Sequence, residues 1–433
     1  MEKNNPKVTR AWAMYDWANS VYSLVITTAI FPIYYVAITQ LEDGTDMVNF
    51  FGWQVSASVL YKYALTGAFL IIAFFSPIFS AIADYGGNKK AFMRFFCYLG
   101  SFACMGLFFF KLDTFSVSVL LFMVAAIGWS GSIVFYNAYL PEIATEDQFD
   151  KLSARGFSLG YIGSMILLII SLVMVLKPEI FGIEDSSLAP RISFLMTGLW
   201  WFGFAHYTFA YLPGNVYHKK PQGDYLWNGF KELRQVWNQL ETLPALKRFL
   251  LAFFFYNMGV QTVMYVASLF GSKELKLPAA SLIIVLLIIQ AVAIGGAYGF
   301  AWLSGRMGNI KALMVAVLVW LGISFAAYFI TTGNQYYMLA FVVGAVMGGI
   351  QSLSRSTYSK LLPRTTDHAS FFSFYDICDK VGLALGTLVF GITEQWLGSM
   401  RYSVLVLSVF FIFGLLVLTS IRSHKTDPLP QVV

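Results

Sequence analysis

The chain has 433 residues, of which 58% are hydrophobic, 18% aromatic and only 12% charged, against roughly a quarter charged in a soluble domain. A chain of this composition belongs in lipid, and its net charge of +6 reads as basic loops on one side of a membrane, not as a nucleic-acid footprint. The polar start MEKNNPKVTR runs into an apolar stretch too long for a signal h-region, so no cleavable leader is expected. Cys97, Cys104 and Cys378 all fall within apolar runs, which argues against a disulfide scaffold.

Counting apolar runs of about 20 residues predicts twelve membrane-spanning helices, at 11–39, 57–83, 91–110, 115–140, 153–176, 191–212, 247–271, 279–303, 312–331, 336–361, 369–393 and 401–421. Span 1 opens on Tyr15 and Asp16 and carries Asn19 and Tyr22. The turn after span 2, ADYGGNKK, sets Asp84 among lysines, where an acid adds nothing to a topogenic signal. Its expected role is to accept hydrogen bonds from the positive N-terminal end of span 11, near Ala369, and so to gate the inner side. Asn137 lies in span 4, and Arg155 at the inner end of span 5. Small residues repeat along Gly156, Gly160 and Gly163 in span 5, Gly295, Gly296 and Gly299 in span 8, and Gly382 and Gly386 in span 11. They predict close helix contacts.

The long join between 213 and 246 places Leu226, Phe230, Leu233, Trp237 and Leu240 at helical spacing. This pattern predicts an amphipathic helix lying on the cytoplasmic interface. Beyond it, span 7 carries Asn257, Gln261 and Tyr265, and span 10 carries Gln351 and, at its inner end, Arg355. Span 11 is the most unusual: FFSFYDICDKVGLALG holds Asp376, Asp379 and Lys380 at i, i+3 and i+4, on one helical face. Lys380 is expected to neutralise Asp376, which leaves one uncompensated carboxylate. Intramembrane charges are costly and mark function.

The two halves repeat. ADYGGNKKA is matched by SGRMGNIKA after span 8, YLPE after span 4 by LLPR after span 10, and Tyr15–Asp16 by Tyr256–Asn257. Polarity follows the same period: spans 3, 6, 9 and 12 are nearly all apolar, whereas spans 1, 4, 7 and 10 carry amides and hydroxyls. An all-α membrane protein of twelve helices is predicted, with halves 1–212 and 247–433 joined by a linker at 213–246. A parallel repeat of this kind is the arrangement of the major facilitator superfamily.

Of the 29 Lys and Arg residues, seven (Lys62, Lys111, Lys177, Arg191, Lys273, Lys276, Arg401) fall on one side and Lys380 lies inside a span. The other 21 lie on the side of the termini, so both termini are expected in the cytoplasm.

The stretches AWAMYDWANSVYSLVITTAIFPIYY, FYNAYLPEIA, SARGFSLGYIGS, GGIQSLSRSTYSKLLP and SFYDICDK resemble the vacuole-effluxer family linked to autophagy, a branch of the major facilitators with many bacterial members. The resemblance runs across the whole chain. It implies efflux of small molecules, and for fungal members the release of amino acids from the vacuole. In ADYGGNKK, Tyr85 stands where the facilitator signature has a basic residue.

Other chemistry is absent from the sequence. There is no phosphate-binding G-x-x-x-x-G-K-[ST] loop, the four histidines lack metal-ligand spacing, and no cofactor is expected. The resulting expectation is a secondary transporter of a bacterial-type inner membrane, working as a monomer. It would move a small polar or zwitterionic, amino-acid-like solute with protons, along a pathway of Asp16, Asn19, Tyr22, Asn137, Asn257, Gln261, Tyr265, Gln351, Asp376, Asp379 and Lys380. Gating is assigned to Asp84, Arg155 and Arg355. A larger amphipathic substrate (a lysolipid, peptide or cell-wall fragment) and a non-transporting sensor remain the alternatives.

Overall fold

The computed structural model describes residues 2–40, 46–219 and 225–421. Lys220, Arg422 and Lys425, counted above among the basic loop residues, lie outside the described residues.

Among the described residues, twelve long helices form the bundle. In chain order they are α1 (Pro6–Thr39), α2 (Ala57–Gly86), α3 (Lys89–Gly106), α4 (Phe115–Ala138), α5 (Glu146–Leu176), α6 (Leu188–Tyr211), α7 (Pro244–Lys273), α8 (Ala279–Met307), α9 (Asn309–Phe329), α10 (Gly333–Leu361), α11 (His368–Leu397) and α12 (Met400–Thr419). Among the described residues, ten of the helices are long and apolar enough to cross a membrane on length and composition. Helices α6 and α11, of 24 and 30 residues, are as long but more polar. In α11 the cause is its buried charges.

Several helices begin before their apolar runs do, because capping is done by polar residues. At α1 the Asn5 side chain accepts from the Lys7 N–H, with Pro6 in the first turn. Within α1, residues Tyr22–Ala29 are π-helical, and Thr28 Oγ1 donates to the Ser23 carbonyl at 2.7 Å. Such a stretch widens the helix where it faces the interior and is frequent at functional sites.

The N-terminal arm bonds to the end of α4, with Asn4 N–H to the Ile143 carbonyl at 2.7 Å, and α12 ends beside the start of α7, with Arg248 donating to the Ser420 carbonyl. Both described ends therefore lie on one face of the bundle, called here the terminal face. The opposite, far face carries a hairpin of β1 (Met47–Phe50) and β2 (Trp53–Ser56) between the first two spans. Its two-residue turn places Phe51 and Gly52 at φ +50° and +89°, the geometry that matches strand twist.

Gly156 packs α5 against α1: a methyl group there would sit 2.4 Å from Asp16 Oδ2. In α8 only Gly296 meets a neighbour, at the Ala345 carbonyl, whereas Gly295 and Gly299 face open space. The expected triple contact in span 8 is thus a single one.

The linker helix (Tyr225–Thr242) forms, and part of its apolar face packs on the bundle. Val236 is fully buried, Trp237 lies over Phe374 of α11 with ring centroids 5.7 Å apart, and Gly229 abuts Ile82 of α2. The helix therefore touches both halves. The side chains of Leu226 and Phe230 lie outside what is described.

Candidate functional site

A cavity of about 790 Å³ lies between the halves, lined by α1, α2, α4, α5, α7, α8, α10 and α11. Helices α3, α6, α9 and α12 take no part in it. The cavity extends to the far-face ends of α1, α7 and α8, at Val36, Ser272 and Leu282, and is floored toward the terminal face by Asp16, Tyr136, Arg355 and Tyr375.

Of the residues expected along the pathway, Asp16, Asn19, Asn137, Asn257, Gln261, Tyr265, Gln351, Asp379 and Lys380 line the cavity. Tyr22 does not. It is fully buried inside the N-terminal half between Trp129 and Trp201, because ordinary helix periodicity turns it away from the face that carries Asp16, Asn19, Ser20 and Ser23. Asp376 also lies off the cavity wall, 95% buried behind Lys380.

The floor is an ion pair between the halves. Arg355 Nη1 and Nη2 both lie 3.2 Å from Asp16 Oδ2. Arg355 also donates to Ser153 Oγ (2.9 Å), the Ser153 carbonyl (3.0 Å) and Asn137 Oδ1 (3.3 Å), and the Tyr136 hydroxyl donates to Asp16 Oδ2 at 2.7 Å. The guanidinium sits over the rings of Phe157 and Trp12, at 4.2 and 4.7 Å, which adds cation–π attraction where water is excluded. On sequence Arg355 could be a snorkelling anchor, a gate partner for Asp84 or a contact for an anionic substrate. Its carboxylate partner in the structure is Asp16, and Asp84 is bound instead by the start of α11.

The wall carries the second charge cluster. Lys380 Nζ lies 2.6 Å from Asp379 and 3.7 Å from Asp376, so its nearer partner is the adjacent acid and not Asp376 one turn away. Asn257 and Gln261 donate to the other Asp379 oxygen at 2.7 and 2.9 Å. Asp376 Oδ2 is buried with no hydrogen-bond partner. Lys380 reaches across to the N-terminal half, 5.1 Å from the Trp129 ring of α4 and 5.4 Å from the Phe69 ring of α2.

Below the floor, two polar clusters join the halves at the terminal face. In the first, Asp84 accepts from Ala369 N–H (3.3 Å), Ser370 N–H (2.7 Å) and Ser370 Oγ (2.8 Å) at the start of α11. Lys89 bridges Asp84, at 3.5 Å, and Glu142. Glu142 also accepts from or pairs with His368 at 3.2 Å. Lys219 holds Asp367 at 3.0 Å beneath them, and burial pushes the nearby Tyr217 hydroxyl above its ordinary range.

The second cluster centres on Asp150 of α5, which binds Lys360 (2.7 Å), Ser304 (2.8 Å) and Asn309 (2.7 Å) of the other half. The Ser153 hydroxyl donates to the Ser352 carbonyl at 2.8 Å between them. Arg155, expected at the gate, is half-buried and has no ion pair among the described residues.

Sequence reasoning missed Tyr136, Glu142, Asp150, Ser153 and Lys360. For Glu142 a signal existed: it ends YLPE, and its repeat mate is Arg364. The others carry no pattern, since serine, tyrosine and lysine near helix ends are common.

Two six-helix halves enclosing a cavity with charged and amide groups in its floor and wall, open toward one face and sealed at the other, define a transporter of the major facilitator type. The chain belongs to the family described as "Vacuole effluxer Atg22 like", whose model matches residues 4–428. It is 35% identical over 433 residues to the uncharacterized MFS-type transporter YxiO of Bacillus subtilis (strain 168), covering 100% of this chain and 98% of that protein. It is 22% identical to autophagy-related protein 22-1 of Penicillium rubens, over 92% of this chain and 80% of that one. Among solved structures, FucP of E. coli in its outward conformation matches at a TM-score of 0.70 and 12% identity, over 97% of this chain and 99% of that chain. That likeness carries the fold. The protein is thus a multi-pass membrane transporter.

Proposed function

We propose that the protein moves a small polar or zwitterionic, amino-acid-like solute by alternating access, coupled to protons. The observation that carries this reading is the cavity's chemistry. It presents two carboxylates, each beside a cation, with the amides of Asn19, Asn137, Asn257, Gln261 and Gln351 near them. Paired charges of both signs suit a solute with a carboxylate and an ammonium, and intramembrane acids suit proton exchange. Asp16, Asp376 and Asp379 are the candidate carriers.

Basic residues concentrated on the terminal face support cytoplasmic termini, so the cavity opens to the outside. A vacuole lumen is topologically that same side, and efflux from it runs toward the cytosol. The Bacillus relative supports a bacterial cytoplasmic membrane. The complete pathway within one chain supports a monomer.

A larger amphipathic solute draws some support from the outer half of the cavity, which is apolar at Ile33, Val36, Leu282 and Leu286. Uptake of a panel of amino acids into proteoliposomes, with and without an imposed proton gradient, tests the reading. Uptake of lysolipid or peptide with none of amino acid would overturn the substrate class. Amino-acid uptake indifferent to the gradient would overturn the coupling.

A further inference from the structure

We infer that the Asp16–Arg355 pair is an exchange site at which one proton and one substrate carboxylate jointly replace a bond between the two halves, making the protein a one-to-one symporter of protons and carboxylates. The inference rests on the transport reading above and deepens it by assigning the carrier and the receptor.

The geometry sets up the exchange. Asp16 belongs to α1 and Arg355 to α10, so the pair spans the seam that must part when the terminal face opens. Both residues line the floor of the cavity, where a solute arriving from the far face ends its path. Asp16 uses a single oxygen, Oδ2, for Tyr136 and for both terminal nitrogens of Arg355. Arg355 is the one cation on the floor, and its planar fork is suited to a carboxylate. Lys380 is already held by two acids of its own helix.

The titratable groups around the pair are Tyr136 from α4, Tyr161 from α5, Tyr256 from α7 and Tyr375 from α11. Phenols are neutral near pH 7, so Asp16 and Arg355 can balance only one another.

The charge balance of the seam then dictates the coupling. A proton from the outer solution adds to the Asp16 carboxylate and leaves it neutral, which alone would strand a buried cation. A substrate carboxylate reaching Arg355 alone would set two anions against one guanidinium. Each partial state leaves an uncompensated charge in a dry site, which is strongly disfavoured. When both arrive, the charge on each side is satisfied without any bond across the seam, and the halves are free to part. In the opened state water accepts the proton from Asp16, the carboxylate leaves, and re-formation of the pair closes the terminal face over an empty site. A zwitterionic solute crosses with one net positive charge.

The test reads conformation and not flux, with leucine as the carboxylate probe and leucinamide as its control, so its failure is distinguishable from a failure of amino-acid uptake. Spin labels are placed at Asp147 on α5 and Lys311 on α9, both exposed on the terminal face, in full-length protein with Cys378 replaced by Ala, reconstituted in nanodiscs. With leucine present at neutral pH, wild type is expected to give the short distance, Asp16→Asn, whose neutral side chain stands for the protonated acid, a long one, and Asp16→Glu the short one again. The open population should rise about tenfold or more in Asp16→Asn, since a broken buried pair outweighs a decade in equilibrium.

Acidification should lengthen the wild-type distance when leucine is added but not when leucinamide is, and it should leave Asp16→Asn unmoved. If Asp16→Asn fails to fold, Tyr136→Phe, which removes one hydrogen bond to the same oxygen, is expected to shift the population the same way by a smaller factor. A short distance in these variants at both pH values would mean that the pair does not hold the seam, and would overturn the proposal. So would a lengthening that leucine and leucinamide produce equally.

Discussion

Asp84→Asn isolates the contribution of charge to the seal at the terminal face. In the structure both carboxylate oxygens are in use, one 3.3 Å from Ala369 N–H and the other 2.7 Å from Ser370 N–H and 2.8 Å from its hydroxyl, with Lys89 at 3.5 Å. An asparagine keeps one carbonyl oxygen and turns an NH2 toward donors. One backbone hydrogen bond is lost, and the other falls from a charge-assisted bond of about 1.5–3 kcal/mol to a neutral one of about 1. Removing the anion from the helix N-terminus forfeits roughly another 0.3–1 kcal/mol.

The sum, about 2–6 kcal/mol, falls on the sealed conformation alone, because these contacts join α2 to α11 across the halves. At its lower end it shifts the balance toward the opened terminal face by roughly thirtyfold. A cysteine at Ser352 reports this directly. The residue is fully buried in the seam, and only its carbonyl bonds to Ser153. Its alkylation by an impermeant maleimide should accelerate at least about tenfold in Asp84→Asn. An unchanged rate in a protein of unchanged melting behaviour would refute the reasoning, since the contact would then not distinguish the two conformers.

Asp150→Asn should act like Asp84→Asn through the other cluster, and the double variant should exceed either alone in the same alkylation assay, because the two sites share no partner. Gly156→Ala drives a methyl group into Asp16 Oδ2 and to 3.0 Å from Arg355 Nη2, so it should cost about 1–3 kcal/mol of stability and slow uptake, measured by thermal unfolding and flux. Gly296→Ala meets the Ala345 carbonyl and should be destabilising, whereas Gly295→Ala and Gly299→Ala should unfold like wild type. Tyr22→Phe removes a buried hydroxyl that has no partner, a change that is neutral or stabilising in principle. Uptake in that variant should match wild type, and its loss would place Tyr22 on the pathway after all.

The sequence by itself determined the solvent, the number of long helices and their pairing into two halves. Lipid imposes a minimum apolar length on each crossing and forbids unpaired backbone, so composition and run length report directly on architecture. The same penalty on polar atoms in hydrocarbon made the lining of α1, α4, α7 and α10 visible as amides spaced through apolar runs. The motif residues were likewise enough to point to the family.

What remained hidden were partners between helices far apart in sequence. Arg355 lies 339 positions from Asp16, and nothing local says that it meets Asp16 and not Asp84. Lys380 sits within reach of both acids on its own helix, and only the amides of α7 around Asp379 fix the arrangement seen. Tyr22 was chosen for its residue type, but helix periodicity alone turns it away from the Asp16, Asn19, Ser20 and Ser23 face that lines the cavity. Helix periodicity assigns a face, but which neighbour covers that face depends on how twelve helices cross. That crossing was decided by packing at positions such as Gly156, where the absence of one methyl group lets α5 close over the ion pair.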